Sequence, residues 1–172
     1  MEKLGMLYSG KAKMVYKTDS DCVCIVEYRD DATAFNGQKK ASFSSKGIVN
    51  NQMSNILFSI LNEKNIPTHY IEEISERETA VKKVNIIPLE VIIRNVAAGS
   101  FSKRYGICEG SALKCVSLEY SYKNDELGDP LINSLQALAL GLAKRDELDI
   151  INDIAFRVND ILKDCLLYTS SS

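Results

Sequence analysis

The stretch Ile86–Ser100, IIPLEVIIRNVAAGS, decides how the rest of the chain is read. Ile86, Ile87, Val91, Ile92, Ile93 and Val96 make a β-branched run, and Pro88 stands near its start, where a missing N–H costs a ladder least. A buried strand is expected. Side chains alternate across a strand, so Glu90, Ile92 and Arg94 share one face, and charges in such a run are rarely buried without partners. That face should open onto something polar.

After Asn95 the chain passes through Ala97, Ala98 and Gly99, which are too small to obstruct a ligand or a helix. Ser100 then leads through Phe101, Ser102, Lys103, Arg104 and Tyr105 to Gly106, the pattern of a short helix with a serine cap and a glycine stop. A helix start offers N–H groups to an anion, and Arg94 aimed at the same spot would add the fork that a carboxylate or phosphate needs. The same residues also fit a plain strand, turn and helix in which Arg94 is paired with a structural acid.

Upstream, Met6 to Lys17 reads as strand, turn, strand around Ser9, Gly10, Lys11, Ala12 and Lys13. Two lysines beside a glycine-containing turn can close over a triphosphate, although an ordinary charged hairpin looks the same. Cys22 to Arg29 alternates like a strand, with Cys22 and Cys24 as small core residues, and Asp30 to Gly37 is turn chemistry with an Asn-Gly pair. Apolar Val49, Met53, Ile56, Leu57, Ile60 and Leu61 recur at helical spacing between Lys46 and Lys64, which predicts an amphipathic helix with those side chains in the core. Strands over Thr68–Ile74 and Thr79–Val84 would bring the sheet to about five strands.

Downstream, Leu113 to Lys123 reads as a strand ending in the loop Lys123–Pro130, where Pro130 should hold Asp129 extended with its carboxylate free to project. Helices are expected over Ser134–Lys144 and Asp146–Asp164, the second with Leu148, Ile151, Ala155, Val158 and Leu162 on one stripe.

Composition bounds the function classes. At 172 residues and 45% hydrophobic, the chain can bury a core but is short for two independent domains. A net charge of −2 gives no field for nucleic acid, so that class of partner is excluded. No apolar stretch approaches a membrane span and the N-terminus lacks a leader pattern, which points to a cytoplasmic protein. The five cysteines lack zinc-site spacing and read as free thiols, and the single histidine, His69, reads as a surface or strand-edge residue.

IIPLEVIIRNVAAGS resembles the signature of phosphoribosylaminoimidazole-succinocarboxamide synthases, or SAICAR synthetases, and LYSGKAKMVY, DDATAFNG, KGIVNNQMSNILF, PTHYIEE, VKKVNIIP and KNDELGDPLIN resemble the same family in the same order. The resemblance implies an α+β, kinase-like and ATP-grasp-like two-lobed fold: residues 1–84 as a small antiparallel nucleotide-binding lobe and 85–164 as part of the substrate-binding lobe. It implies an ATP-dependent ligase of purine biosynthesis that joins carboxyaminoimidazole ribonucleotide to L-aspartate through an acyl phosphate, with Mg2+ and with small molecules as its only required partners, homo-oligomerisation being left open.

Residue by residue, the resemblance makes Gly10, Lys11, Ala12 and Lys13 the flap over the ATP phosphates, followed by Val15, and the backbone from Lys82 to Val84 the partner of adenine. Glu90, Arg94, Gly99 and Ser100 fall to the ribonucleotide. Asp129 falls to substrate and metal, and Lys123 to nucleotide or transferred phosphate. Relatives commonly carry an acid where this chain has Asn36, which weakens a metal role there. They also continue past the last helix, whereas residues 165–172 form a serine-rich tail without pattern, expected to be foreign, so that this chain should show no turnover. A kinase of another class, using Asp125 or Asp129 as base and metal ligand, and an inert fragment or nucleotide-binding module are the alternatives.

Overall fold

Alternating apolar residues and short polar turns build the first half of the chain into an antiparallel meander. The computed structural model describes residues 1–10, 12–34, 39–42 and 45–170, of which 31–34, 39–42 and 166–170 are described by backbone alone. Two compact units result, Met1–Asn85 and Ile86–Ser172.

In the first unit, β1 (Lys3–Ser9), β2 (Lys13–Thr18), β3 (Val23–Tyr28), β6 (Tyr70–Ser75) and β7 (Glu78–Lys82) form a five-stranded sheet in the order β1-β2-β3-β7-β6. Cys24, Val26 and Val81 make its buried cluster, with Val15 and Tyr28 packed against it. Cys22 is exposed in the turn before β3, so only Cys24 is the small core residue expected of both. Residues Asp31–Ala34 form a strand, β4, paired with β5 (Lys39–Ser42), where a turn is predicted; positions 35–38, Asn36 among them, lie outside the described residues.

Helix α1 (Lys46–Glu63) forms where the apolar spacing places it; of the six side chains expected in the core Leu61 is buried and Leu57 and Ile60 are half-buried, but the others face outward. Gly47, Asn51, Asn55 and Leu61 are its buried residues, whereas Val49, Met53 and Ile56 are each more than half exposed. The buried amides are satisfied. The Thr79 hydroxyl donates to Asn51 Oδ1 at 2.6 Å or to Asn55 Oδ1 at 2.8 Å, and Asn51 Nδ2 donates to the carbonyls of Ser75 and Glu76. Buried polar groups cost little when paired in this way and much when one partner is removed. At the start of α1, Asp30 accepts from the Gly47 N–H at 2.8 Å and pairs with both terminal nitrogens of Arg77 at 2.7 and 2.9 Å.

The second unit has a three-stranded sheet, order β10-β9-β8, built from β8 (Leu89–Val96), β9 (Ala112–Tyr122) and β10 (Leu131–Ile132). Helices α2 (Gly99–Tyr105), α3 (Ser134–Ala139) and α4 (Arg145–Ser170) complete it. Helix α3 is shorter than predicted because the chain turns at Gly141, φ 67°, and α4 runs past Asp164 to Ser170. Its core is Tyr120, Ala137, Ala143 and Leu148, with Leu89, Val91, Leu118 and Ile151 packed around them. No residue of β8 is buried, contrary to the buried strand expected from its run of β-branched side chains; β8 lies at the sheet edge with polar residues on one face.

Two expectations follow. Thr79→Val should lower stability in urea denaturation by about 1–3 kcal/mol, because it strands buried amide oxygens, whereas Val49→Ser on the outer face of α1 should change it by less than about 0.5 kcal/mol. The Arg77 guanidinium, aided by the Gly47 N–H, lowers the Asp30 carboxyl to about 2. A depressed folded-state value means that this contribution is present above the unfolded carboxyl value of about 3.9 and is lost as pH falls through about 2. Arg77→Met should therefore flatten the urea midpoint against pH in that window and return the Asp30 NMR titration toward the ordinary carboxylate range.

Candidate active site

Antiparallel pairing of β8 with β9 sets Glu90 opposite Ser121, Ile92 opposite Glu119 and Arg94 opposite Ser117. Residues directly opposite share a face, so one side of this ribbon carries Glu90, Arg94, Ser117, Glu119 and Ser121 while Val91, Leu118 and Tyr120 pack on the core. Arg94 does not point into solvent. Its Nε donates to Glu119 Oε2 at 2.9 Å, its Nη2 reaches Ser100 Oγ at 3.4 Å, and its guanidinium lies 5.6 Å from the centre of the Phe101 ring. Arg104 pairs with the other oxygen of Glu119. A cleft of about 400 Å³ reaches Glu119 and Tyr105 and is otherwise lined by Leu118, Tyr120, Asn133, Gln136 and Asn152 among others; Arg94 and Ser100 are not part of its wall.

Helix α2 starts two residues earlier than predicted. Its N-cap is Ala98, extended at φ −152°, and no side chain caps it; Ser100 lies inside the first turn, while Gly106, φ 64°, is the stop that the sequence indicates. Gly99 has φ 54°, with open space where a Cβ would stand, so the glycine is required by backbone conformation and not by crowding. Its N–H donates to Glu109 Oε1 at 3.2 Å.

The loop after β9 departs further from expectation. Asp129 has φ 50°, in the left-handed region, where extended backbone was predicted. Pro130 disfavours the right-handed helical region for its predecessor but leaves this conformation available. The carboxylate turns back on its own loop: Oδ1 accepts from the Asn124 N–H at 2.8 Å and Oδ2 from Lys123 Nζ at 2.6 Å. Glu90 approaches Lys123 at 3.8 Å, so Lys123, Asp129 and Glu90 are brought together. The Asp129 hydrogen bond raises the Lys123 ammonium above 10.5 and keeps it charged at neutral pH.

In the first unit, the Gly10 N–H donates to the Lys13 carbonyl at 2.8 Å and closes the β1–β2 turn, with Ala12 and Lys13 exposed; Lys11 lies outside the described residues. Val15 packs against the Cys24–Val26–Val81 cluster. The Lys82 N–H donates to the His69 carbonyl and the Lys83 N–H to that of Cys22, leaving Val84, exposed, as the backbone of that segment without an acceptor among the described residues. His69 is half-buried against Phe58, with burial lowering its pKa and the charge of Lys13 lowering it further. Among the described residues no group of three or more His, Cys, Asp or Glu side chains gathers to hold a metal, and no helix is long and apolar enough to cross a membrane.

The family model for SAICAR synthetase matches residues 6–169. The chain belongs to the SAICAR synthetase family. It is 60% identical over 162 residues to the phosphoribosylaminoimidazole-succinocarboxamide synthase of Lachnoclostridium phytofermentans, covering 94% of this chain and 69% of that protein. A crystal structure of the Ehrlichia chaffeensis synthase superposes with a TM-score of 0.89 at 41% identity, over 93% of this chain and 68% of that one. A SAICAR synthetase solved in complex with ADP superposes with a TM-score of 0.90 at 46% identity, over 95% and 69%. SAICAR synthetases are ATP-dependent ligases of purine biosynthesis with a two-lobed, ATP-grasp-like α+β fold, and this chain shares that fold and enzyme class.

Glu119 and Arg104 escape the sequence reading, although the alternation of Ser117, Glu119 and Ser121 with Val116, Leu118 and Tyr120 marks one face of β9 as polar. For the Lys123 pair, Asp129→Asn should move the lysine titration, followed by side-chain NMR, down toward 10.5. Asparagine tolerates the left-handed backbone, so the loop should keep its shape.

Proposed function

We propose that the polar face of the β8–β9 ribbon binds the ribonucleotide substrate and that the β1–β2 turn and the segment around Val84 bind ATP. The observation that carries the first part is the meeting of Arg94 and Ser100, from a strand end and a helix start. Residues 1–84 then serve the nucleotide and residues from 85 onward the ribonucleotide. Lys13, with Lys11, neutralises the triphosphate, Gly10 closes the turn that carries them beside Ala12, Val15 supports the sheet beneath, and the Lys82–Val84 backbone meets adenine chiefly through the Val84 N–H. Arg94, Ser100 and the open approach at Gly99 hold the ribonucleotide, and Glu90 orients Lys123.

The reaction follows from the chemistry of carboxylates, which are poor electrophiles. A carboxylate oxygen of carboxyaminoimidazole ribonucleotide attacks the γ-phosphorus and ADP leaves; the amine of L-aspartate then attacks the acyl carbon, phosphate departs and the amine proton is lost. Phosphoryl transfer asks mainly for positioning and charge neutralisation, which lysines and backbone donors supply. Lys123, kept protonated by Asp129, is the ammonium that would steady the transferred phosphoryl group. Magnesium binds through phosphate oxygens and one or two carboxylates, so among the described residues the single carboxylate of Asp129 would be the one to hold it, and the ion, when bound, would supply charge shielding for phosphate oxygens. The working compartment is the cytoplasm, consistent with five free thiols.

Calorimetry with ADP and, separately, with the ribonucleotide tests the division. Arg94→Ala should weaken ribonucleotide binding about 100-fold and leave ADP within about twofold, since a lost pair of charge-assisted hydrogen bonds is worth about two decades. Equal loss of both, or of neither, overturns the assignment.

A further inference from the structure

We propose that Glu119 is a positioning residue that fixes the orientation of the Arg94 guanidinium, with Arg104 keeping the site electropositive; this rests on the assignment of Arg94 to the ribonucleotide. Three elements meet at this carboxylate: β8 through Arg94, β9 through Glu119 itself and α2 through Arg104. Its side chain is only 11% exposed, and Arg94 is 19% exposed. A carboxylate so far removed from water needs its charge matched, and two guanidiniums overmatch it.

The geometry is selective about which part of Arg94 is used. A bidentate pair would take Nε and Nη2 together and leave Arg94 spent as a binding group. Here Glu119 takes Nε, and Nη2 is turned to Ser100 Oγ instead. The plane is held from beneath as well. Phe101 is buried, and both Arg94 and Arg104 lie over its ring, at 5.6 and 5.8 Å from its centre. Guanidinium rotation is thus restrained by a hydrogen bond at one edge and an aromatic face below, which directs the remaining N–H groups toward Ser100.

Charge explains the second arginine. One guanidinium with one carboxylate would be neutral and a poor lure for an anion. With Arg104 on the other oxygen the trio of Arg94, Glu119 and Arg104 carries one net positive charge, suited to a phosphate monoester of the kind a ribonucleotide carries. Glutamine cannot replace Glu119 here. Its amide has one accepting oxygen, and its NH2 would face a guanidinium that can only donate.

The experiment uses the full 172-residue chain, with calorimetry for carboxyaminoimidazole ribonucleotide and for ADP and a thermal melt on each variant. Glu119→Gln should bind the ribonucleotide about tenfold more weakly although it removes a negative charge, with ADP affinity within about twofold; its melting midpoint should fall, since a nearly buried ion pair is broken, with the protein still folded at the assay temperature. Unchanged or tighter ribonucleotide binding overturns the proposal, because repulsion by Glu119 would then outweigh its orienting effect. Parallel loss of ADP binding in a folded variant also overturns it, as a general structural role would do this. Should Glu119→Gln fail to fold, Arg104→Met decides: weakening of the ribonucleotide alone by about threefold or more supports the charge arrangement, and no change overturns it. If the wild-type chain binds no ribonucleotide, or Arg94→Ala binds it as the wild type does, the substrate assignment itself fails, an outcome distinct from failure of Glu119 alone.

Discussion

The pairing of β8 with β9 is the constraint on which the second unit depends. Because side chains alternate, the register Leu89 to Tyr122 and Arg94 to Ser117 decides at one stroke which residues enter the core and which form the charged face. A slip of β8 by one residue would turn Arg94 to the core face and part it from Glu119, which stays with β9. Burial of Tyr120, whose hydroxyl meets Asn152, fixes which face of β9 is inward and so keeps Glu119 on the charged face that Tyr120 does not itself touch.

The first unit is organised by a different kind of contact. Its helix is attached to the sheet through amides and a threonine hydroxyl more than through hydrocarbon, with Asp30 and Arg77 fastening one end. Directional bonds of this kind specify an orientation where apolar packing would tolerate several. The β1–β2 turn and the Val84 segment are carried on that sheet.

Much of this was legible in the sequence. Period-two alternation located β1, β2, β3, β6, β7 and β9, and Gly106 stopped α2 as its chemistry demands. Helical spacing found α1 and the burial of Leu61, but not the rest of its inner face, because Gly47, Asn51 and Asn55 are inward where hydrophobicity favoured Val49, Met53 and Ile56. Ser100 looked like a cap because caps are defined by backbone angles, which here belong to Ala98. Asp129 was misread because a following proline excludes one backbone region without choosing between those that remain. Glu119 and Arg104 stayed hidden for a simpler reason: their partners are 15 and 25 residues away along the chain, and no local pattern announces a contact made only by folding.

Gly47 carries one more consequence. Its backbone is unremarkable in angle, yet a methyl group placed there would stand 2.6 Å from both the Tyr28 carbonyl and an Arg77 nitrogen. The first turn of α1 thus seats against β3 like a key in a keyway, able neither to lift away for a bulkier residue nor to roll about its axis. Any rocking of this helix must take β3 with it, so helix and sheet are built to move as a block.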